Sequence, residues 1–433
     1  MSSSQTATRG PADSHYDALE ARDPAQRDRD TLAALPALVR RAQTTSAGAE
    51  RLGRVDADAI TSRQAFARLP VMRKTELFER QKTGRTAAAW DPLGGASAIG
   101  WRGMVAAQGA RRVFQSPGPI YEPEGLQQDP WRAARALWAA GFRPGDLIHS
   151  SFSYHLTPAG AMMESGAHTI GCTTFAGGVG NTDLQLQAIN DLRPHGYTGT
   201  PSFLKILVEK AADNGASIAS IRRALVSGEA FPPSLRDWLR ERGIEGYQAY
   251  ATADVGLIAY ETVAREGLVV DEGVLLEIVR PGTDDPVPDG EVGEVVVTVL
   301  ATDYPLLRFG TGDLSAVLPG RCPSGRTQQR IKGWMGRADQ TTKVRGMLVH
   351  PSQVADIVRR HAEIVRARVV IEGEMASDRL TFKAEVSTRP DGLADAIATS
   401  VRDITKLRAD VVLSSAGSLP NDGKVIEDAR SYK

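Results

Sequence analysis

Cysteine is almost missing from this sequence. Two residues, Cys172 and Cys322, stand among 433. That scarcity excludes a disulfide framework and a cysteine-rich zinc site, and it suits a reducing, cytoplasmic compartment. An excess of charge is missing too: 52 Lys and Arg face 52 Asp and Glu. The balance argues against a general electrostatic partnership with nucleic acid or an anionic membrane. No run approaches the ~18 uncharged apolar residues that span a bilayer, so no membrane segment is expected. The opening MSSSQTATRGPADSHYDALEARD is polar and lacks the apolar core of a secretion signal. Its residues 1–13 read as a disordered tail. The chain shows no internal repeat and no long low-complexity linker.

What remains is ordinary globular protein, 42% hydrophobic and 24% charged. At roughly 150 residues per domain, two or three domains are expected. Residues 14–50 read as one or two helices, with Pro36 either kinking the one or starting the second. Thr75 reads as the cap of another helix. Asp129-Pro130-Trp131 opens a helix running to Gly141. From there strands alternate with helices: strand 146–150, helix 158–167, strand 169–175, helix 182–192, helix 201–214, strand 224–226. Such alternation marks parallel α/β layers. Over 268–318 strands and turns take over, in the texture of an antiparallel or barrel-like part. After about 339 come helix 351–362, strands 367–372 and 380–386, helix 391–407 and a last strand, 410–413.

The densest chemical signal is Tyr304-Pro305-Leu306-Leu307-Arg308-Phe309-Gly310-Thr311-Gly312-Asp313-Leu314, followed by Gly336-Arg337-Ala338-Asp339 and Lys343-Val344-Arg345-Gly346. With Pro351-Ser352-Gln353, Pro201-Ser202-Phe203 and the segment Leu69 to Leu77, this run resembles the phenylacetate–coenzyme A ligase family of the adenylate-forming superfamily. The resemblance spans most of residues 30–433, and the cluster is specific where any one tripeptide is not. It implies a fold of α/β and α+β character. A large multi-layer domain over 14–335 would hold parallel sheets and a small barrel-like part. A hinge at 336–339 and a small mobile α+β domain over 340–433 would follow.

The implied activity is ATP-dependent activation of an aryl or arylacetic acid through an acyl-adenylate, then transfer to coenzyme A. ATP, Mg²⁺ and coenzyme A are the implied cofactors, without zinc, because Ser324 breaks the paired cysteines of the matching loop Gly320 to Arg326. Asp313 suits ribose, since a carboxylate accepts from two hydroxyls together. A turn aspartate is the plainer reading of its tripeptide alone. Arg337 would meet the ribose or α-phosphate side. Asp339 matches the hinge, where a backbone change must be absorbed. Lys343 and Arg345 read equally as coenzyme A-side cations or as surface charge. Lys424, in Leu419-Pro420-Asn421-Asp422-Gly423-Lys424, corresponds to the lysine that bridges carboxylate and α-phosphate as charge develops. Alone it would be an exposed turn residue.

Ser227-Gly228-Glu229 resembles the loop on the adenine side, where Gly228 lets backbone approach the ring. Tyr250 would stack on adenine, or is a core aromatic. Asp254 would be the Mg²⁺ ligand in place of the usual glutamate. Tyr154 and His155 are candidates for the wall and gate of an aromatic acyl pocket, although a packing histidine is an equal reading.

Two departures stand out. Ala251 and Ala253 replace a glycine and a hydroxyl residue of the family pattern. The phosphate loop reads Arg112-Val113-Phe114-Gln115-Ser116-Pro117-Gly118-Pro119-Ile120-Tyr121-Glu122-Pro123-Glu124. Its three prolines remove N–H donors, and it has no lysine. Ser116 and Gly118 then give a reduced cradle, or phosphate relies on Mg²⁺ and on Arg111 and Arg112, or the first half-reaction is slow or absent. Two rival readings follow. In one, an amine, a carrier protein or water takes the acyl group. In the other, the protein binds nucleotide or acyl group without catalysis. A homodimer is compatible with the resemblance.

Overall fold

The structure is a computed structural model. It describes the chain except residues 1–14, 117–118, 230, 341, 345–346, 374–377, 421–423 and 430–433, and the side chains of 339, 342–343, 347–348 and 428. The expected tail at 1–13 therefore lies outside the described residues. Two compact units are present: Met1–Thr311 with Ser315–Trp334, and Gly312–Leu314 with Met335–Lys433.

The larger unit is built on a nine-stranded sheet. Five strands, Thr173–Ala176, Leu147–Ser150, Gly196–Gly199, Arg223–Val226 and Glu245–Thr252, pair in parallel in that spatial order. Gly256–Glu261, Leu268–Val270, Arg330–Ile331 and Val317–Leu318 extend it antiparallel. The connecting helices follow local rules. Pro201–Asp213 starts with its proline at the first turn under the Thr200 cap, and buries Leu204, Leu207, Val208 and Ala211 along one stripe. A helix at Pro233–Arg240, absent from the sequence reading, buries Leu239 and packs Leu235 and Trp238 against the same core; their i, i+3, i+4 spacing after a proline was a signal the sequence did carry.

Several boundaries differ from expectation for physical reasons. Pro24–Gln43 is one helix with Pro36 inside it. Thr75 is not a cap: the helix is Lys74–Gly84, entered from Arg73. The helix expected from Pro130 is Ala133–Ala139, because the Asp129 carboxylate accepts from the Ala133 and Ala134 amides and sets the start there. The barrel-like part is an open four-stranded sheet, ordered Met72–Arg73, Phe309–Ser315, Gly293–Val299, Val274–Val279. It stays open because Leu268–Val270 and Val317–Leu318 join the larger sheet instead.

In the smaller unit, Asp410–Ser415, Arg379–Val386, Ile364–Glu372 and Ile426–Asp428 form one sheet in that order. Helices Pro351–Arg360 and Leu393–Thr405 cover its core of Val354, Ile357, Val369, Phe382, Ile397 and Val401. The three-residue strand Ile426–Asp428 comes after the one expected to be last; it pairs in parallel with Ile364–Glu372, a partner its own sequence does not reveal. Among the described residues, no helix is long and apolar enough to cross a membrane.

Candidate active site

Parallel strands place their carboxyl ends side by side, the usual ligand edge of an open α/β sheet. At that edge the loop Ser227-Gly228-Glu229 follows strand Arg223–Val226. The Ser227 amide donates to the Gly199 carbonyl at 3.2 Å, and the Ser202 amide donates to Glu229 Oε2 at 3.4 Å. Gly228 has φ +81°, a conformation that side chains resist, so glycine is required there. One strand further, Tyr250 is buried in the core cluster that also holds Met72, Ile120, Leu306 and Phe309. Its hydroxyl donates to Thr311 Oγ1 at 3.2 Å, and that hydroxyl donates to the Val295 carbonyl at 3.0 Å.

Asp254 lies in the turn after strand Glu245–Thr252, with a side chain 1% exposed. Its Oδ2 accepts from Lys74 Nζ at 2.9 Å. Its Oδ1 is buried and has no hydrogen-bond partner among the described residues. A single hard, unsatisfied oxygen is what a hydrated Mg²⁺ takes from protein, so Asp254 fits that ion. Sequence reasoning missed Lys74 and Glu122 as members of this cluster. Both lie in segments the sequence singled out, Lys74 in Leu69 to Leu77 and Glu122 in the phosphate segment, but nothing local linked either to Asp254.

That segment is a β-hairpin, Arg112–Ser116 paired with Ile120–Glu124. Pro123 is tolerated because a two-stranded ribbon leaves one N–H side unpaired. The Ser116 hydroxyl donates to Glu122 inside the hairpin. Gly118 lies outside the described residues. Arg112 forks onto the buried Glu124, and Arg111 stands 3.7 Å from the same carboxylate. Burial, with the Asp254 charge adding to it, pushes the Glu122 carboxyl up to about 8. The Gln115 amide donates to the Leu156 carbonyl at 2.7 Å, which ties the hairpin to the loop bearing Tyr154 and His155. Tyr154 is half-buried with a hydroxyl lacking a partner among the described residues, and burial pushes its phenol up to about 12. His155 is exposed.

The smaller unit joins the other motifs. Arg337 Nη1 lies 3.4 Å from Asp313 Oδ1, and the Leu314 amide donates to the Gly336 carbonyl at 2.8 Å. Gly312 has φ +75°, a conformation that favours glycine, and the Arg337 guanidinium lies over it, Nη2 2.8 Å from where a Cβ would stand. Asp339 falls in the short turn Ala338–Gln340 and Lys343 in strand Thr342–Val344. Arg345 lies outside the described residues. Lys424 is exposed on a segment tied at several points. The Val425 amide donates to Gln340 Oε1 at 2.6 Å, Arg368 Nη2 donates to the Pro420 carbonyl at 3.1 Å, and Arg366 donates to the Leu419 carbonyl.

Comparison with known proteins follows the same pattern. The family model described as AMP-binding enzyme matches residues 132–299. A phenylacetate–coenzyme A ligase of Thermus thermophilus is 32% identical over 263 residues, 59% of this chain and 59% of its own length. One from Aromatoleum evansii is 28% identical over 270 residues, 61% of its length; the chain thus spans about three fifths of these relatives. One from Escherichia coli is 29% identical over 342 residues, 72% of this chain and 77% of its own. Among solved structures, a 2-hydroxyisobutyryl-CoA ligase in an open conformation with 2-HIB-AMP and CoA superposes with TM-score 0.77 at 23% identity, covering 96% of this chain and 95% of its own. An anthranilate CoA ligase gives 0.54 at 16% identity, over 72% and 65%. At those identities the structures speak for the fold alone.

Proposed function

We propose that the chain, which is similar to phenylacetate–coenzyme A ligases over part of its length, activates an aromatic carboxylic acid with ATP and passes the acyl group to coenzyme A. The observation that carries the reading is the juxtaposition of Asp313 and Arg337 across a glycine. A carboxylate beside a guanidinium offers acceptors to ribose hydroxyls and donors to phosphate oxygens.

In the first half-reaction the acid's carboxylate oxygen attacks the α-phosphorus. The bond to the bridging oxygen breaks, and pyrophosphate leaves with the electron pair. Asp313 orients the ribose, the Ser227–Glu229 loop and Tyr250 shape the adenine side, and Tyr154 walls the acyl group. Lys424 steadies the negative charge that develops on the α-phosphate and carboxylate oxygens. Asp254 would hold Mg²⁺, and the ion would supply charge neutralisation for the phosphates. In the second half-reaction the thiol attacks the acyl carbon, AMP leaves with the bond electrons, and the thiol proton passes to solvent. A turn about Asp339 would let the smaller unit serve the two steps in succession.

The test is pyrophosphate release over a panel of aryl and aliphatic acids, with and without coenzyme A, and with products identified. Aryl-CoA formed with AMP supports the reading. Adducts formed without coenzyme A transfer the proposal to another acceptor, turnover confined to aliphatic acids removes the aromatic assignment, and no turnover on any acid sinks it.

A further inference from the structure

Three distant segments meet at Lys74. Strand Met72–Arg73 pairs in parallel with Phe309–Ser315, Arg73 opposite Gly310, so Lys74 follows at the level of Thr311. Its ammonium lies on Asp254, from the turn after strand Glu245–Thr252. Glu122, from the phosphate hairpin, feels both charges. Around them, Glu122 Oε2, Asp254 Oδ1 and Tyr304 Oη are buried without hydrogen-bond partners among the described residues. Asp254 and Tyr304 also line one small cavity of about 50 Å³. Buried polar atoms left unpaired cost free energy, so a cluster of three argues for something that completes them.

The hairpin cannot supply the cation that phosphate needs. Arg112 is committed to Glu124, whose side chain is fully buried, and Arg111 divides itself between Glu124 and the Leu126 carbonyl. Turning either toward a ligand would strand a buried carboxylate. Lys74 differs. Its side chain is 31% exposed and donates to Asp254, and an ammonium carries three donors. Its three donors on a flexible stem let it meet a ligand while one of them stays on Asp254, so the buried carboxylate keeps its partner. With Glu122 and Asp254 nearby, the phosphate chain would enter as its magnesium complex, its own charge largely offset.

We propose that Lys74 is the residue that meets the β- and γ-phosphates of ATP, supplying from outside the hairpin the ammonium that the hairpin lacks. The assignment rests on the adenylation reading above. It explains how a proline-bearing hairpin with two buried glutamates serves a nucleotide triphosphate.

The experiment is calorimetric binding of ATP, AMP and pyrophosphate, each with Mg²⁺, to the full chain and its Lys74 variants. Lys74→Ala should weaken ATP and pyrophosphate roughly ten-fold or more, the scale of a lost charged hydrogen bond, while AMP stays within about two-fold. Lys74→Gln keeps a donor for Asp254 without the charge, so it should repeat that pattern in a folded protein. Lys74→Arg should recover most of the ATP affinity. Equal losses for ATP and AMP, or unchanged ATP affinity in Lys74→Gln, would overturn the assignment and leave the adenylation reading standing. A wild-type chain that binds no ATP would overturn both.

Discussion

The side-chain oxygen of Gln340 accepts a hydrogen bond from the Val425 amide at 2.6 Å. The bond joins the residue after Asp339 to the residue after Lys424, within the smaller unit. Lys424 is thereby held by its neighbour's backbone although its own side chain is exposed. Gln340→Ala removes the acceptor and leaves the fold's core untouched. A hydrogen bond of this kind is worth about 1 kcal/mol, so adenylation should slow by roughly five-fold. ATP–pyrophosphate exchange measures it, and the variant should unfold cooperatively with a stability loss of no more than about 1 kcal/mol.

Lys424→Ala tests the residue itself. Adenylation should fall by roughly 100-fold or more, the scale of losing one preorganised charge stabiliser. Thiolysis of a supplied acyl-adenylate should change little. Equal losses in the two half-reactions would contradict the assigned role.

Glu122 makes stability depend on pH. Its folded-state carboxyl is pushed up to about 8 from an ordinary value of 4.5. Between those values the folded chain holds a proton that the unfolded chain has lost. The contribution of this group is therefore fully present below about 4.5 and is lost as pH rises toward about 8, by up to about 1.4 kcal/mol per pH unit. Glu122→Gln should flatten that slope in melting curves taken from pH ~5 to ~8. Parallel curves for parent and variant would show that the carboxyl ionises freely in the fold.

Arg308 anchors the larger unit. It is fully buried, pairs with Glu277 at 2.9 Å, and donates to the carbonyls of Ala67 and Asp284 at 2.6 and 2.8 Å. Burial raises the Glu277 carboxyl while Arg308 opposes that shift. Arg308→Ala would leave Glu277 and those carbonyls without their donor. The loss should be about 3–5 kcal/mol, read by urea unfolding. A loss near that of a surface substitution would mean that water replaces the guanidinium.

Much of this protein was legible in one dimension. Apolar spacing in Pro201–Asp213 and the Thr200 cap are local, and local rules locate that helix. The strand–helix alternation from 146 to 226 implied a parallel sheet because parallel neighbours need a crossing helix between them. The glycine in Thr311-Gly312-Asp313 was visible as a letter, but its positive φ and the guanidinium of Arg337 that lies over it, 25 residues later, were not. Tertiary structure decided the rest. Lys74 and Asp254 are 180 residues apart, and no periodicity links them. Strand Ile426–Asp428 exists only because Ile364–Glu372 offers it an edge. Glu122 reads as a charge of the wrong sign for phosphate, yet burial beside Asp254 favours its neutral form. Sequence carries propensity and residue type, which act over a few neighbours. Pairing of distant segments and exclusion of water arise only when the chain closes on itself, and they set the charge and the partners of each side chain.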